Sequence, residues 1–226
     1  PYWVYVDKRK MNNFANVGFH PISIIGYLQC DLPYHITACI EKEVQEMLDS
    51  NFQSANSYKE NLAGAIEQEY GIYESTHLLE KFIQEVVPIY WKSVGNHERA
   101  NDHHIIRINE GQKDIWVNFS KKGEYNPVHT HSGLLSFVLW YKMPFTIEDE
   151  KNHPTVNGGT VNNGASFQFN FLEMDSKGAV GQHIIEADRS YENKMIIFPS
   201  NLQHSVYPFF TSDDYRISLS GNIEVP

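Results

Sequence analysis

The sequence predicts a mainly β fold, a sandwich or barrel, with N-terminal helices covering one of its sheets. From about residue 103, short runs rich in β-branched and aromatic residues alternate with Gly, Pro, Asn and Asp, which is typical of a sandwich or barrel. Aromatic residues make up 13% of the chain, and their rings suit pleated, half-buried surfaces. The predicted strands are IIRINEG, DIWVNFSKKG, LLSFVLWYKMP, ASFQFNF, HIIEA, KMIIFPS, HSVYPF and YRISLSGNI.

The first hundred residues carry mixed signals. Residues 19–28 are rich in β-branched and aromatic side chains and predict a strand. Apolar residues recur at helical spacing over about 35–50 and over about 75–94, where Pro88 can kink the helix. The polar stretch 51–72 predicts a loop with a helical turn. We expect one domain over 1–226, with 1–100 as a support region and 101–226 as the barrel core.

The charge balance argues against two classes of partner. The formal net charge is −10, and no run of Lys or Arg offers a basic face. We therefore expect neither nonspecific nucleic-acid binding nor attachment to a membrane surface. No apolar run approaches the roughly 20 residues that span a bilayer, and no signal peptide is visible. Two cysteines are too few for a disulfide framework, so we expect free thiols in a cytoplasmic protein.

Three histidines are spaced as metal ligands would be. His129 and His131 form a His-x-His pair, and residues i and i+2 of a strand point to the same face. His204 follows the apolar run MIIF and a Pro-Ser-Asn turn. Arg216 comes 12 residues after His204 and precedes Ser218 on the same strand face; its guanidinium can hold a carboxylate bidentately. Together these residues predict a metal site with an anion-binding arginine beside it.

These residues resemble the motif of the 2-oxoglutarate/Fe(II) oxygenases: His-x-Asp/Glu, a distal His, and an Arg soon after it. Over about 60–226 the chain is similar to small bacterial and cyanophage oxygenases akin to prolyl 4-hydroxylases. The resemblance implies that the barrel is a double-stranded β-helix, that is, a jelly-roll or cupin-like barrel. It also implies Fe(II), 2-oxoglutarate and dioxygen, with His129, His131 and His204 on the metal and Arg216 with Ser218 on the co-substrate carboxylate. The matching segments are NLAGAIEQEY, WVNFSKKGEY, HTH, SFVLWY, FPSNLQHSVYP and RIS.

Further expectations follow from the resemblance. Asn118, Ser136 and Trp140 are expected to offer hydrogen bonds to the co-substrate. The reaction would hydroxylate an unactivated C–H bond; the likeness to prolyl hydroxylases points to a peptide or protein side chain, and small molecules stay open. A phage origin would place the protein in the host cytoplasm. Residues 51–72 and 151–165 are expected either as lids over the site or as plain surface loops.

One position departs from the family motif. His131 stands where a carboxylate ligand is usual, and a third imidazole cancels none of the metal's charge. Three neutral imidazoles can still hold Fe(II) on one face and leave positions open. In a second arrangement His131 would be the first ligand and Gly133 would leave the carboxylate position vacant, as in oxygenase-like halogenases. That arrangement gives His129 no role.

Two alternatives come from other classes of protein. The segments from Gly123 to His131 and from Pro199 to His204 are similar to the two halves of the cupin motif, without the Glu expected after His131. A metal-binding cupin would need neither 2-oxoglutarate nor Arg216. A jelly-roll binding module without metal would not be an enzyme, and the acidic charge and 13 tyrosines would suit a protein-binding surface.

Overall fold

The computed structural model describes residues 17–22, 25–172 and 180–226. Its α-helices are α1 (Tyr34–Asp49), α2 (Thr76–Ser93) and α3 (Ile147–Asn152). Short 3-10 helices span Lys59–Asn61, Arg99–Asn101 and Arg189–Tyr191. The strands are β1 (Gly18–Ile22), β2 (Ile25–Asp31), β3 (Gln68–Gly71), β4 (Ile105–Ile106), β5 (Ile108–Asn109), β6 (Gln112–Lys113), β7 (Ile115–Ser120), β8 (Asn126–His129), β9 (Leu135–Lys142), β10 (Phe167–Leu172), β11 (Val180–Ile185), β12 (Lys194–Pro199), β13 (Gln203–Val206) and β14 (Arg216–Glu224).

The larger sheet is antiparallel and has the order β1-β2-β12-β9-β14-β7-β3, with β4 also paired to β14. Strand β14 lies in the middle of this sheet, between β9 and β7. Its register places Arg216 opposite Ser120, and Ser218 opposite Asn118. Because directly opposite residues point to the same side of a sheet, these polar side chains share one face.

Helices α1 and α2 cover the outer face of the larger sheet. Their buried apolar side chains form one hydrophobic cluster with every second residue of the strands beneath. In β9, Leu135, Phe137 and Leu139 face the helices, whereas Val138 and Trp140 face the opposite way. This alternation follows from the two-residue period of a strand. The helices therefore leave the polar face of the sheet free to form a site.

The smaller sheet has the order β11-β10-β13-β8 and faces the inner side of the larger sheet. A second cluster, rich in aromatic residues, fills part of the space between the two sheets; it includes Phe167 and Phe169 of β10 and Phe198 of β12. Two facing antiparallel sheets with helices outside one of them form the predicted double-stranded β-helix, and this prediction is confirmed.

Helices α1 and α2 match their predicted bounds to within one residue. The strands predicted beyond residue 103 are present, except that IIRINEG is divided between β4 and β5, which lie in different sheets. Residues 19–28 differ: the prediction of one strand is wrong, since β1 and β2 form a hairpin paired from Gly18↔Gln29 to Ile22↔Ile25. Residues 23 and 24 lie outside the described part. The stretch 51–72 contains β3, whose four residues are too few to show a strand period.

Both cysteines are free thiols. In the ranges that the structure describes, no helix combines the length and the apolar character that a bilayer crossing requires.

Candidate active site

A cavity of about 130 Å³ lies between the two sheets. Both sheets contribute to its wall, and the segment 61–63 lines it from one side. Most of the residues predicted for the site meet here, although they come from five different strands or the segments after them. The predicted residues that line the cavity are Asn118, His129, His131, Trp140, His204, Arg216 and Ser218.

Strand pairing in the smaller sheet brings the three histidines together. His129, the last residue of β8, lies directly opposite His204 of β13. His131 lies beyond the end of β8, so the expectation of a His pair on one regular strand is not met. Its backbone N–H donates to the Ser200 carbonyl oxygen at 2.9 Å, which holds the chain beside the turn before β13. One ligand nitrogen from each imidazole lies within 4.8 Å of the other two.

Backbone carbonyls orient two of these imidazoles. His129 Nδ1 lies 2.6 Å from the Pro127 carbonyl oxygen, and His204 Nδ1 lies 2.9 Å from that of Leu202. A carbonyl oxygen can only accept, so each Nδ1 carries the proton and each Nε2 keeps its lone pair for a ligand. Such a hydrogen bond to the second ring nitrogen is how proteins fix a metal-binding histidine.

Burial keeps the imidazoles neutral. It lowers the pKa of His131 to about 4, with the nearby His129 as the second cause. It also lowers the pKa of His129, and it lowers that of His204 well below the ordinary value, aided by the other two imidazoles. Metal ligands must be unprotonated, so all three side chains are available to a metal at neutral pH.

The donor set fits a divalent metal ion. His131 Nε2 and His204 Nε2 lie 3.0 Å apart. Two nitrogens bound at about 2.1 Å and about 90° to each other would be separated by about 3.0 Å. Imidazole suits iron, and three ligands on one face leave further positions open. Within the described residues, no carboxylate belongs to this metal-ligating group.

Arg216 is a buried cation facing the same cavity. The residue is 3% exposed, and its Nη1 donates to the Tyr207 carbonyl oxygen at 3.0 Å. The guanidinium carbon lies 5.2 Å from the centre of the Phe209 ring. Burial lowers the pKa of Arg216 to about 10, which leaves it charged at neutral pH. Among the ion pairs found in the described ranges, none involves Arg216.

A guanidinium carries five N–H donors, and a buried charge without a counter-ion is costly. The side chain is therefore arranged to receive an anion from the cavity. A carboxylate matches the planar guanidinium because its two oxygens can accept two parallel N–H bonds.

Glu150, which the sequence did not single out, positions the wall beside Arg216. It is 0% exposed, and it accepts hydrogen bonds from Phe210 N at 2.9 Å and from Thr211 N at 2.8 Å. The Thr211 hydroxyl donates to it as well. These contacts hold the segment next to Phe209, whose ring packs on the guanidinium. In the sequence Glu150 stands in the charged run EDEK, which is typical of a solvated surface.

Two predicted residues lie elsewhere. Ser136 shares a strand face with Trp140 but does not line the cavity; its hydroxyl donates to Asn222 Oδ1 at 2.7 Å and lies 2.9 Å from Ser200 Oγ. Gly133 has φ +92 and sits against the backbone oxygen of Ile223, outside the cavity lining. The arrangement with a vacancy at Gly133 therefore finds no support, and His129 lies with the other imidazoles.

Comparison with known proteins agrees with this geometry. Residues 114–222 match the model of the family described as "Putative 2OG-Fe(II) oxygenase". No curated protein matches the sequence. Among solved structures, a prolyl-4-hydroxylase from Pseudomonas putida is similar in fold, with 14% identity, coverage of 89% of this chain and 94% of that chain, and a TM-score of 0.51.

Two further solved structures are more distant. An oxidoreductase of the 2OG-Fe(II) oxygenase family from Burkholderia pseudomallei has 9% identity and a TM-score of 0.42, covering 92% of this chain and 73% of its own. The non-heme alpha-ketoglutarate-dependent epimerase SnoN of nogalamycin biosynthesis has 10% identity and a TM-score of 0.47, covering 89% and 77%.

Residues 114–222, most of the barrel, therefore match the 2-oxoglutarate/Fe(II) oxygenases, and the prediction of an enzyme of that class is confirmed. Members of this family use Fe(II), 2-oxoglutarate and dioxygen, so the predicted cofactor and co-substrates are confirmed. The assignment decides against a non-enzymatic jelly-roll module and against a cupin that works without 2-oxoglutarate.

Proposed function

We propose that this protein is a dioxygenase that hydroxylates an unactivated C–H bond in a peptide or protein side chain. The observation that carries the proposal is the meeting of two groups in one cavity. The first is a set of three neutral imidazoles, two on the smaller sheet and one just beyond the end of β8; the second is a buried guanidinium on the larger sheet that forms no ion pair within the described ranges. A metal ion at the first and a carboxylate at the second are what a bound 2-oxoglutarate requires. The fold similarity to a prolyl-4-hydroxylase supports a peptide substrate.

In this proposal His129, His131 and His204 hold Fe(II). When bound, Fe(II) supplies the redox chemistry by which 2-oxoglutarate, dioxygen and a C–H bond become succinate, carbon dioxide and an alcohol. Arg216 and the Ser218 hydroxyl bind the distal carboxylate of 2-oxoglutarate, with the charged fork giving most of the affinity.

The neighbouring side chains orient the co-substrate and exclude water. Trp140 is 3% exposed and Asn118 is 5% exposed; both face the cavity. Asn118 offers an amide beside the carboxylate site, and Trp140 provides an apolar wall. Phe167 stacks on the His204 ring at a centroid distance of 5.4 Å and shields that imidazole. Removing water strengthens the electrostatic interactions within the site.

The role of Arg216 is tested by measuring 2-oxoglutarate affinity with Mn(II) in place of Fe(II), which prevents turnover. The Arg216→Met variant should bind 2-oxoglutarate about a hundredfold more weakly or worse, since one partner of a buried charge pair is lost. It should bind Mn(II) as before. The matched control is Arg99→Met, because Arg99 is a half-exposed arginine that pairs with Asp102. Unchanged 2-oxoglutarate affinity in Arg216→Met would refute this role.

The reaction is tested with Fe(II), 2-oxoglutarate, dioxygen and a library of short peptides. We expect succinate formation to rise with a peptide present, and mass spectrometry to find one added oxygen atom in that peptide. Prolyl peptides and their proline-free counterparts separate a prolyl hydroxylase from an enzyme for another side chain. If only free amino acids or other small molecules stimulate succinate formation, the peptide substrate is wrong while the oxygenase class stands.

The cytoplasmic location and the phage origin stay predictions. The free thiols of Cys30 and Cys39 support a reducing compartment.

A further inference from the structure

The side chain of Glu69 ends in a buried carboxyl group. The residue is 1% exposed, and neither of its oxygens has a hydrogen-bond partner among the described residues. It lies on β3 directly opposite Asn118 of β7, whose Oδ1 is also buried and unpaired within the described chain. Buried polar groups nearly always have partners, so two neighbouring orphans need an explanation.

The register places Glu69 on the cavity side of the larger sheet. Opposite residues point to the same face, and Asn118 lines the cavity. The next residue, Tyr70, faces the other way and packs on Phe119 at a centroid distance of 6.3 Å. Glu69 therefore lies beside the wall of the active site and away from the hydrophobic cluster under the helices.

The segment 61–64 passes close to the Glu69 carboxyl group. A Cβ atom added at Gly64 would lie 2.8 Å from Glu69 Oε1 and 2.9 Å from Asn126 Nδ2, so both side chains approach one point beside the segment 61–64. Asn126 and residues 61–63 line the cavity, and Ala65 N donates to the Tyr125 carbonyl oxygen at 2.9 Å. The segment 61–64 thus connects the edge strands of the two sheets, β3 and β8, and the Glu69 carboxyl group lies next to it.

The chemistry of these groups defines what would complement them. When Glu69 is ionised, it and Asn118 Oδ1 present acceptor oxygens and a negative charge. Burial raises the pKa of Glu69 to about 7, opposed by Lys59 and assisted by Glu124, which is the effect of a carboxylate that lacks donors. A ligand with a positive charge and several N–H donors would satisfy both groups, and the formal charge of −10 would favour its approach.

We propose that Glu69 and Asn118 form a subsite for a cationic group, an ammonium or a guanidinium, on the substrate of this enzyme. The inference rests on the proposed function and adds a substrate class to it: side chains or amines that carry a positive charge. Arg216 then binds the anionic co-substrate within the cavity, and Glu69, next to the wall residue Asn118, binds the cationic group of the substrate. Movement of the segment 61–64 would admit the substrate.

The test measures binding to the protein loaded with Mn(II) and 2-oxoglutarate. The probes are N-acetyl-lysine methylamide and N-acetyl-arginine methylamide, with N-acetyl-norleucine methylamide as the neutral match. The native protein should bind a cationic probe about tenfold more tightly than the neutral one, and Glu69→Gln should lose that preference. Glu67→Gln is the control, since Glu67 is exposed and pairs with Lys121; it should keep the preference.

A second readout separates recognition from a structural role. Near neutral pH a bound cation should drive ionisation of Glu69, so binding should release protons, seen as a dependence of the binding enthalpy on the buffer. Glu69→Gln should release none. Glu69→Asp keeps the negative charge and replaces Glu69→Gln as the test variant if the latter does not fold. Because its side chain is shorter, Glu69→Asp should show a weaker preference for the cationic probes over the neutral one.

Two results would overturn the subsite: no preference for either cation in the native protein, as expected if water alone occupies this place, or an unchanged preference in Glu69→Gln. Binding of Mn(II) and 2-oxoglutarate is recorded in the same experiments. If Mn(II) and 2-oxoglutarate bind but no cation is preferred, only the proposed subsite is contradicted. If Mn(II) and 2-oxoglutarate do not bind, the proposed function is contradicted.

Discussion

Replacing Glu69 by Gln should stabilise the protein at alkaline pH and not at acidic pH. The native carboxyl group is 1% exposed and has no hydrogen-bond partner in the described chain, so its ionised form is poorly solvated. Gln has nearly the same shape and never ionises. The variant therefore removes a penalty that the native protein carries only when Glu69 is charged.

The magnitude follows from the pKa. Burial raises the pKa of Glu69 from its ordinary 4.5 to about 7, and this difference corresponds to about 3 kcal/mol at 25 °C. Below the unfolded-state pKa the group is protonated in both states and costs nothing. Between the two pKa values the folded state holds more protons, so the free energy of unfolding falls as pH rises. Above about pH 7 the loss is complete.

Urea unfolding of the native protein and Glu69→Gln at about pH 5 and about pH 8 measures this effect. We expect the stability difference between the two proteins to grow by about 2.5 kcal/mol in favour of the variant between these pH values, because a small part of the effect is already present at pH 5. Other titrating groups occur in both proteins and cancel. In Glu67→Gln, where the carboxylate is exposed, the difference should barely change. A difference for Glu69→Gln that is flat with pH, or that favours the native protein at high pH, would refute the reasoning.

Three further predictions concern the metal, Glu150 and Gly133. Mn(II) at about 100 times its Kd should add about 2.7 kcal/mol of stability and raise Tm by roughly 5–10 °C; an equal rise in His204→Ala would contradict the ligand set. Glu150→Gln should lower the free energy of unfolding by about 1–3 kcal/mol and weaken 2-oxoglutarate binding severalfold; calorimetry that finds native affinity would show that the segment next to Phe209 does not position Arg216. Gly133→Ala should cost about 1–3 kcal/mol in urea unfolding, because its Cβ would lie 2.9 Å from the Ile223 oxygen. Gly123→Ala, also at positive φ but with open space around it, should cost less; equal costs would show that the contact does not matter.

Much of the candidate site could be predicted because the residues that carry it are chemically conspicuous. A His-x-His pair, a distal His and an Arg on a strand with hydroxyls are rare in combination, and the structure brings His129, His131, His204 and Arg216 to one cavity. Their roles as ligands and clamp stay predictions until metal and co-substrate binding are measured. Ser136 was misplaced because strand alternation gives the face of a side chain but not its depth along the barrel.

Two residues of the site gave no usable signal. Glu69 lies in a four-residue strand within a polar stretch, and Glu150 lies in a six-residue helix of mostly charged side chains. A carboxylate in such a context is usually solvated, since burying one is costly. Only the surrounding chain makes the difference: two backbone N–H groups donate to Glu150, whereas no donor in the described part of the chain reaches the Glu69 oxygens.

The sequence by itself determined both long helices, most of the strands, the barrel class and most of the candidate site residues. Hydrophobic periodicity and residue chemistry are local properties, so both can be recognised in short segments of the sequence. Tertiary structure alone decided how those segments meet: the pairing of His129 with His204, the burial of Arg216 without an ion pair in the described chain, and the enclosure of Glu69 beside the segment 61–64. Distances, burial and the resulting pKa values depend on residues far apart in the chain, and short-range patterns do not contain them.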